Sequence, residues 1–247
     1  MKHKSKLLKL CVLSFMIALG VVISPILRFE GMCPMAHFIN ITCSVLLGPW
    51  YSLLCATVIG IIRMIFMGIP PLALTGAVFG ALLSGVFYRL SKGKIIFAFL
   101  GEVIGTGIIG AIISYPVMTY IWGKTDLTWF FYVPSFICGT LIGGSIAYVF
   151  LKKLSNAGLL KKFQTMLETN AYDDNTGVFG NAAAIAAFGV IAYLVISILT
   201  SIFNIGSTVW TIIAFSSLGA FVIAGLVYYF VKTAKIKKQE PGKEELS

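Results

Sequence analysis

The stretch CPMAHFINITCSVLLGPW, residues Cys33–Trp50, places polar side chains inside an apolar run that has no acidic residue, lysine or arginine. His37, Asn40 and Ser44 are spaced three and four residues apart, so on a helix they share one face. In a membrane helix such a face turns toward the protein interior, where it finds partners. We therefore expect the chain to be built around a helix whose His37 and Asn40 point inward.

A second stretch, GEVIGTGIIGAIISYP at Gly101–Pro116, supplies the complementary chemistry. Glu102 is its only charged residue, and Thr106 follows one turn later on the same helix face. An ionisable group within a membrane helix marks a substrate or ion path by default. We favour such a role for Glu102, and the alternative is a partly hydrated residue near the inner surface, close to Lys94.

Composition identifies the chain as a polytopic membrane protein. Of its 247 residues, 58% are hydrophobic and 11% are charged, with a mean hydropathy of +0.95. A membrane span needs about 20 apolar residues, so the two longest uncharged runs must each fold back once. Gly48-Pro49 breaks the first run and Asn204–Ser207 breaks the second. The prediction is an all-α membrane protein with a six-helix bundle and two extra C-terminal transmembrane helices.

The net charge of +10 is carried by short loops and tails beside the predicted spans. This distribution is typical of an orientation signal and does not indicate nucleic-acid binding. We expect a multi-pass protein of the cell membrane with both termini cytoplasmic and with Arg28, Arg63 and Lys124 on the outer side. The sequence leaves open whether Arg63 reaches out to lipid headgroups or into the protein.

The first span, Leu7–Leu27, has the basic start of a signal peptide but no small-x-small cleavage site, so we interpret it as a retained helix. Its Ser14 and Ala18 have the small-xxx-small spacing that allows another helix to approach closely. From the spacing alone, packing within this chain is favoured over contact with a separate subunit.

Composition divides the chain into four regions. They are the six-helix domain 1–153, an amphipathic cytoplasmic linker 154–180, a two-helix transmembrane appendage 181–231 and a charged cytoplasmic tail 232–247. The tail has the composition of a disordered segment. Within the linker, apolar residues at helical spacing lie opposite Lys161, Lys162 and Gln164, which favours a helix on the inner leaflet.

The sequence contains no nucleotide-binding glycine-lysine loop, nucleophile elbow or zinc-protease motif. Its five cysteines lie in or beside different spans with no CxxC spacing, which indicates neither a disulfide framework nor a thiolate metal site. We therefore expect no enzymatic activity, no cofactor and no resident metal. Any ATP-driven step belongs to another chain.

Three specific functions remain open from the residues alone. Met32, Cys33, Met35 and His37 are soft or borderline ligands, so transition-metal uptake is one, although no second histidine lies nearby. An intramembrane enzyme using His37 and Glu102 as acid and base is another, but it lacks an activated nucleophile and paired carboxylates. A purely structural membrane scaffold is the third.

Two blocks carry a resemblance to a known family. The first is Cys33–Gly68, with the run C-P-x-x-H-x-x-N, the motif LLGP and Arg63; the second is Gly101–Val117, with GEVIGTGIIGA followed by YP. They make residues 7–153 similar to the S components of energy-coupling-factor (ECF) vitamin importers. The resemblance is specifically to the ThiW family, which is associated with the thiazole precursor of thiamine.

This resemblance implies a six-helix S component that captures hydroxyethylthiazole and docks on a transmembrane coupling subunit and two ATPase subunits. It also raises the expectation that Ser14 and Ala18 contact the coupling subunit. The ligand requires a donor for its ring nitrogen, which Asn40 or His37 can supply, and an acceptor for its alcohol, which Glu102 can supply. The expected substrate-binding residues are His37, Asn40, Arg63, Glu102, Thr106 and Tyr115. Another small vitamin is the alternative ligand.

Overall fold

The computed structural model describes residues 2–26, 28, 33–172, 178–202 and 208–239. Within these ranges all regular secondary structure is helical, which confirms the predicted all-α membrane protein. The chain divides into two compact units, residues 1–173 and residues 174–247. The expected fold-back at Asn204–Ser207 lies outside the described residues.

The helices are numbered in chain order. In the first unit they are α1 (Lys2–Ile23), α2 (Pro34–Leu47), α3 (Pro49–Met67), α4 (Leu72–Leu90), α5 (Ile95–Ile121), α6 (Val133–Asn156) and α7 (Leu159–Met166); in the second they are α8 (Val178–Ile202) and α9 (Thr208–Gln239). Among the described residues, seven helices are long and apolar enough to cross a membrane. The second of the eight predicted spans, α2, is apolar but has 14 residues, about 21 Å of helix.

A tight break separates α2 from α3, as the sequence predicted. Gly48 has a φ of +94°, a conformation that residues with side chains rarely adopt. Pro49 opens α3 and Pro34 opens α2, at positions where a missing N–H removes no helix hydrogen bond. The break returns α3 alongside α2, so that Arg63 near the end of α3 contacts Cys33 at the start of α2. We call this the α1–α2 end of the bundle.

Helix α5 contains two π-helical segments, Val103–Gly110 and Val117–Ile121. Such segments widen a helix and are frequent at functional sites. Gly101 and Gly105 pack directly on α4, because a Cβ at either position would lie 2.5 Å from a backbone oxygen of that helix. Glu102 follows the first of these glycines and is therefore held against α4.

Helix α7 packs across the opposite end of the bundle, where α2 ends. Leu160 and Leu167 are buried, and Gln164 is 1% exposed. The Gln164 amide donates hydrogen bonds to Val45 O at 2.9 Å and to Tyr88 Oη at 3.0 Å. The expectation that Gln164 lies on the solvent-facing side of an amphipathic helix is wrong, since this side chain satisfies a carbonyl in the last turn of α2.

The second unit is a pair of closely packed helices. A Cβ at Gly225 of α9 would lie 2.8 Å from Ala182 O of α8, and Asn181 Nδ2 donates to Tyr228 Oη at 3.4 Å. The sequence predicted that this last span ends at Val231, but α9 continues to Gln239. Residues 232–239 of the expected disordered tail are therefore helical, and residues 240–247 lie outside the described ranges.

Candidate functional site

The Glu102 carboxylate is the centre of a buried polar cluster. Its side chain is 0% exposed, so it is not the partly hydrated residue that the sequence left as an alternative. Oε1 lies 2.9 Å from His37 Nδ1 and accepts hydrogen bonds from Asn40 Nδ2 at 3.0 Å and from Thr106 Oγ1 at 3.1 Å. Asn40 and Thr106 donate to this oxygen, and His37 donates to it in the tautomer that carries a hydrogen on Nδ1.

The second carboxylate oxygen, Glu102 Oε2, is buried and has no hydrogen-bond partner among the described residues. Gly80 of α4 lies beside it, because a Cβ at that position would lie 2.8 Å from Oε2 and would overlap Thr106 Oγ1. Buried carboxylate oxygens are nearly always paired with a donor. This oxygen therefore offers an acceptor to a group that enters the cluster.

The polar face of α2 points inward, as its spacing predicted. Besides its bond to Glu102, the Asn40 amide donates to Ala77 O of α4 at 3.3 Å, and the Ser52 hydroxyl donates to Asn40 O at 2.9 Å. One turn further along, Ser44 Oγ lies 2.7 Å from Ser84 Oγ. These bonds fix the rotation of α2 relative to α4 and α5.

Helix α6 lets His37 come close through two glycines. A Cβ at Gly139 would lie 3.2 Å from His37 Nε2, and a Cβ at Gly143 would lie 3.0 Å from His37 Cβ. Sequence reasoning did not assign Gly80, Gly139 or Gly143 to the site. The available signal was their small-residue spacing, which is the same signal that ordinary helix packing produces.

Arg63 lies at the α1–α2 end of the bundle and is 4% exposed. Its Nη2 is 3.3 Å from Cys33 Sγ, and Cys33 Sγ is in turn 2.9 Å from Ser24 O. This burial places the guanidinium inside the protein and does not fit a side chain that reaches out to lipid headgroups.

Tyr115 is not brought to the carboxylate. It lies 13 residues beyond Glu102, which corresponds to about 20 Å along a helix. Its ring packs on Trp129, with ring centroids 4.6 Å apart. The structure therefore groups His37, Asn40, Glu102 and Thr106, places Arg63 beside the start of α2, and leaves Tyr115 apart.

Ser14 and Ala18 are both exposed on α1, in a surface that also includes Leu10 and Phe15. The expectation from spacing alone, that they pack within this chain, is wrong for the described residues. Their exposure leaves them accessible to lipid or to another protein.

The cluster of soft ligands proposed from the sequence is not assembled in the part of the chain that the structure describes. No group of three or more histidine, cysteine, aspartate or glutamate side chains there is arranged to hold a metal ion. Met32 of that cluster lies outside the described residues.

Comparison with known proteins identifies the family. The sequence model of a family described as "Thiamine-precursor transporter protein (ThiW)" matches residues 10–157, which is more than half of the chain. The chain belongs to the ThiW family. The match includes every residue of the Glu102 cluster, so ThiW membership and the buried site concern the same part of the molecule. No curated protein and no solved structure matches this ThiW chain.

The membership agrees with the resemblance deduced from the sequence. A thiamine-precursor transporter family and seven apolar helices of spanning length describe a multi-pass membrane protein that handles a small molecule. The matched residues end within one residue of the end of α6, so α7 and the second unit lie beyond the family match.

Proposed function

We propose that this ThiW protein is the substrate-binding membrane subunit of an ECF-type importer and that it captures hydroxyethylthiazole. One observation carries the proposal. Glu102 Oε1 is occupied by three protein donors, whereas Oε2 is buried and has no partner among the described residues. A free, fully desolvated acceptor supports a ligand with a hydrogen-bond donor, and the alcohol arm of hydroxyethylthiazole is such a donor.

The ring nitrogen of the thiazole is an acceptor, and His37 is the better placed of its two expected donors. Both hydrogens of the Asn40 amide are engaged, one by Glu102 Oε1 and one by Ala77 O. His37 Nε2 makes no hydrogen bond within the described residues. Nε2 can therefore face the ring nitrogen of the ligand while Nδ1 faces the carboxylate.

The energy for uptake is proposed to come from other chains. The sequence contains no nucleotide-binding motif, so a transmembrane coupling subunit and two ATPase subunits would supply it. The exposed pair of small residues on α1, Ser14 and Ala18, supports a close helix contact with the coupling subunit. The basic residues support a cell-membrane orientation with both termini cytoplasmic, and the α1–α2 end then faces outward.

No chemical step is part of this proposal. The cluster has one carboxylate and one imidazole but no activated nucleophile among the described residues. Hydroxyethylthiazole that is incubated with the purified protein should be recovered unchanged, as measured by mass spectrometry. Conversion of the ligand without added enzymes would contradict a transport-only role.

Calorimetric titration of the purified protein with hydroxyethylthiazole tests the site. We expect Glu102→Ala to weaken binding about tenfold to hundredfold, because it removes the acceptor and leaves three donors unpaired. Glu102→Gln retains one acceptor oxygen and should weaken binding less. Glu168→Gln is the matched control, since that carboxylate binds Ser5, away from the cluster. Wild-type affinity in both Glu102 variants would show that the ligand binds elsewhere.

A further inference from the structure

Arg63, at the α1–α2 end of the bundle, is a buried arginine with no acidic partner among the described residues. Arg63 is 4% exposed, its Nε has no partner in the described part of the chain, and its Nη2 contacts the weak acceptor Cys33 Sγ at 3.3 Å. The ion pair found among the described residues, between His37 and Glu102, does not include it. A buried guanidinium is costly unless an anion pairs with it, so Arg63 has free capacity for one.

Ser24 provides a second free donor in the same place. Its side chain is 0% exposed, and its Oγ makes no hydrogen bond within the described ranges. The Ser24 carbonyl accepts the Cys33 thiol at 2.9 Å, so Cys33 contacts both Ser24 and Arg63. A guanidinium and a hydroxyl with no acidic partner in the described part of the chain fit a carboxylate or a phosphate, whose oxygens only accept hydrogen bonds when ionised.

This donor pair borders the Glu102 cluster. A Cβ at Gly139 would lie 3.2 Å from His37 Nε2 and 3.7 Å from Cys33 N, so those two nitrogens are within about 7 Å of each other. The start of α2, where Arg63 contacts Cys33, is therefore adjacent to the His37 side of the Glu102 cluster.

We propose that Arg63 and Ser24 bind an anionic arm of the transported ligand. The inference rests on the proposed function and specifies its substrate class: a heterocycle that carries a phosphate ester or a carboxylate, recognised in preference to the neutral alcohol. Arg63 is the specificity-determining residue, because its planar fork matches two oxygens of such a group. His37 holds the ring of the ligand, and the anionic arm lies at Arg63 and Ser24 in place of the alcohol that would donate to Glu102 Oε2.

The test compares two probes on the full-length protein by calorimetry: hydroxyethylthiazole and its phosphate monoester. The ester should bind about tenfold to hundredfold more tightly to the wild type. Arg63→Gln should reduce this preference to about onefold, and Arg63→Lys should retain part of it. Arg28→Gln, which removes an exposed arginine, is the matched control and should leave the preference intact.

Several outcomes would overturn the proposal. Equal affinity of the wild type for both probes would remove its basis while leaving hydroxyethylthiazole binding, and so the proposed function, in place. An equal loss of both affinities in Arg63→Gln would assign the arginine a structural role. If that variant does not fold, Ser24→Ala decides, because it too should lower the preference for the ester.

Two further measurements identify a different anion. Native mass spectrometry that finds phospholipid retained by the wild type and released by Arg63→Gln, without any preference for the ester, would assign the site to a lipid headgroup. Non-additive losses of melting temperature in Arg63→Gln, Glu30→Gln and the double variant would assign the counter-charge to Glu30, which lies outside the described residues. Arg63-dependent binding of inorganic phosphate without binding of either thiazole would retain the anion site and contradict the proposed function.

Discussion

At the residue scale, Glu102 shows how an apolar bundle accommodates a charge. A carboxylate removed from water is costly unless donors replace its hydration. Here His37, Asn40 and Thr106 replace that hydration on one oxygen, and the other has no donor in the part of the chain that the structure describes. The open oxygen is a cost to the unliganded protein that a ligand donor would remove. A hydrogen bond from a ligand to this oxygen would therefore favour the ligand-bound protein over the free protein.

The two α2 residues of the cluster should contribute separately to binding. We expect His37→Ala and Asn40→Ala each to weaken hydroxyethylthiazole binding by about 1–3 kcal/mol, the usual cost of an unpaired buried polar group. The loss should be larger for His37, since Asn40 has both amide hydrogens engaged within the protein. Calorimetry measures both. Ser44→Ala, on the same helix face but bonded to Ser84, is the control; a loss in that variant equal to the other two would indicate general destabilisation of α2.

The sequence indicated that His37, Asn40 and Glu102 could meet, because polar side chains in membrane spans turn toward partners within the protein. It left open a partly hydrated Glu102 near Lys94, which is excluded by the burial of this side chain against α4. Tyr115 was grouped with them on the resemblance, through the YP that follows GEVIGTGIIGA, but its position along α5 separates it from Glu102. Gly80 was not assigned to the site from the sequence. A glycine that packs against a functional side chain has the same sequence spacing as a glycine that packs against a neighbouring helix.

At the element scale, the exposed surface of α1 gives a test of subunit contact. Ser14→Leu and Ala18→Leu should abolish uptake in cells that contain the partner subunits, since a bulky side chain prevents close helix approach. Both should leave ligand binding by the purified protein unchanged, because neither residue lies in the Glu102 cluster. Radiolabelled uptake and calorimetry provide the two measurements.

A matched control separates this effect from membrane insertion. Ser145→Leu makes the same kind of change at an exposed position of α6. Uptake should persist in that variant. Normal uptake in both α1 variants would exclude this surface as the coupling contact.

Helix α7 should contribute to stability through one buried amide. Gln164→Leu removes the amide that donates to Val45 O and to Tyr88 Oη, at a cost of about 1–3 kcal/mol. The melting temperature should fall by several degrees, as measured by intrinsic fluorescence. Thr165→Ala, at the neighbouring exposed position, should change it little. Equal melting temperatures for all three proteins would mean that α7 is not anchored to the bundle in solution.

Hydropathy and helix-breaking residues were sufficient to predict most helices. The spans follow from the length and apolar content of each segment, and the break follows from Gly48-Pro49. Both features depend only on residues that are adjacent in the sequence, so the sequence predicts them. The environment of α7 was not predictable in the same way. An apolar stripe at helical spacing is equally compatible with lipid and with a protein surface, and the partners of Gln164 are more than 70 residues away in sequence.

At the scale of the whole molecule, the proposed orientation predicts a labelling pattern. Lys124→Cys, in the loop between α5 and α6, should react with a membrane-impermeant thiol reagent in intact cells, while the exposed Lys153→Cys at the end of α6 should react only after permeabilisation. Both substitutions are made in a protein that lacks Cys11, because this exposed native thiol would also react with the reagent. The reverse pattern would invert the topology.

The division into two compact units gives the last prediction. The family match ends at residue 157, but the first unit continues to residue 173, because α7 and the residues after it bind the bundle through Gln164 and Thr169. A chain that ends at Asp173 should therefore retain the melting temperature and ligand affinity of the full protein. A chain that ends at Ala157 should melt several degrees lower, since it loses those bonds to the carbonyls of α2. Fluorescence melting with and without hydroxyethylthiazole compares the three proteins. Loss of binding in the chain that ends at Asp173 would give the second unit a part in the site, whereas equal behaviour of both truncations would confine the functional fold to the matched residues.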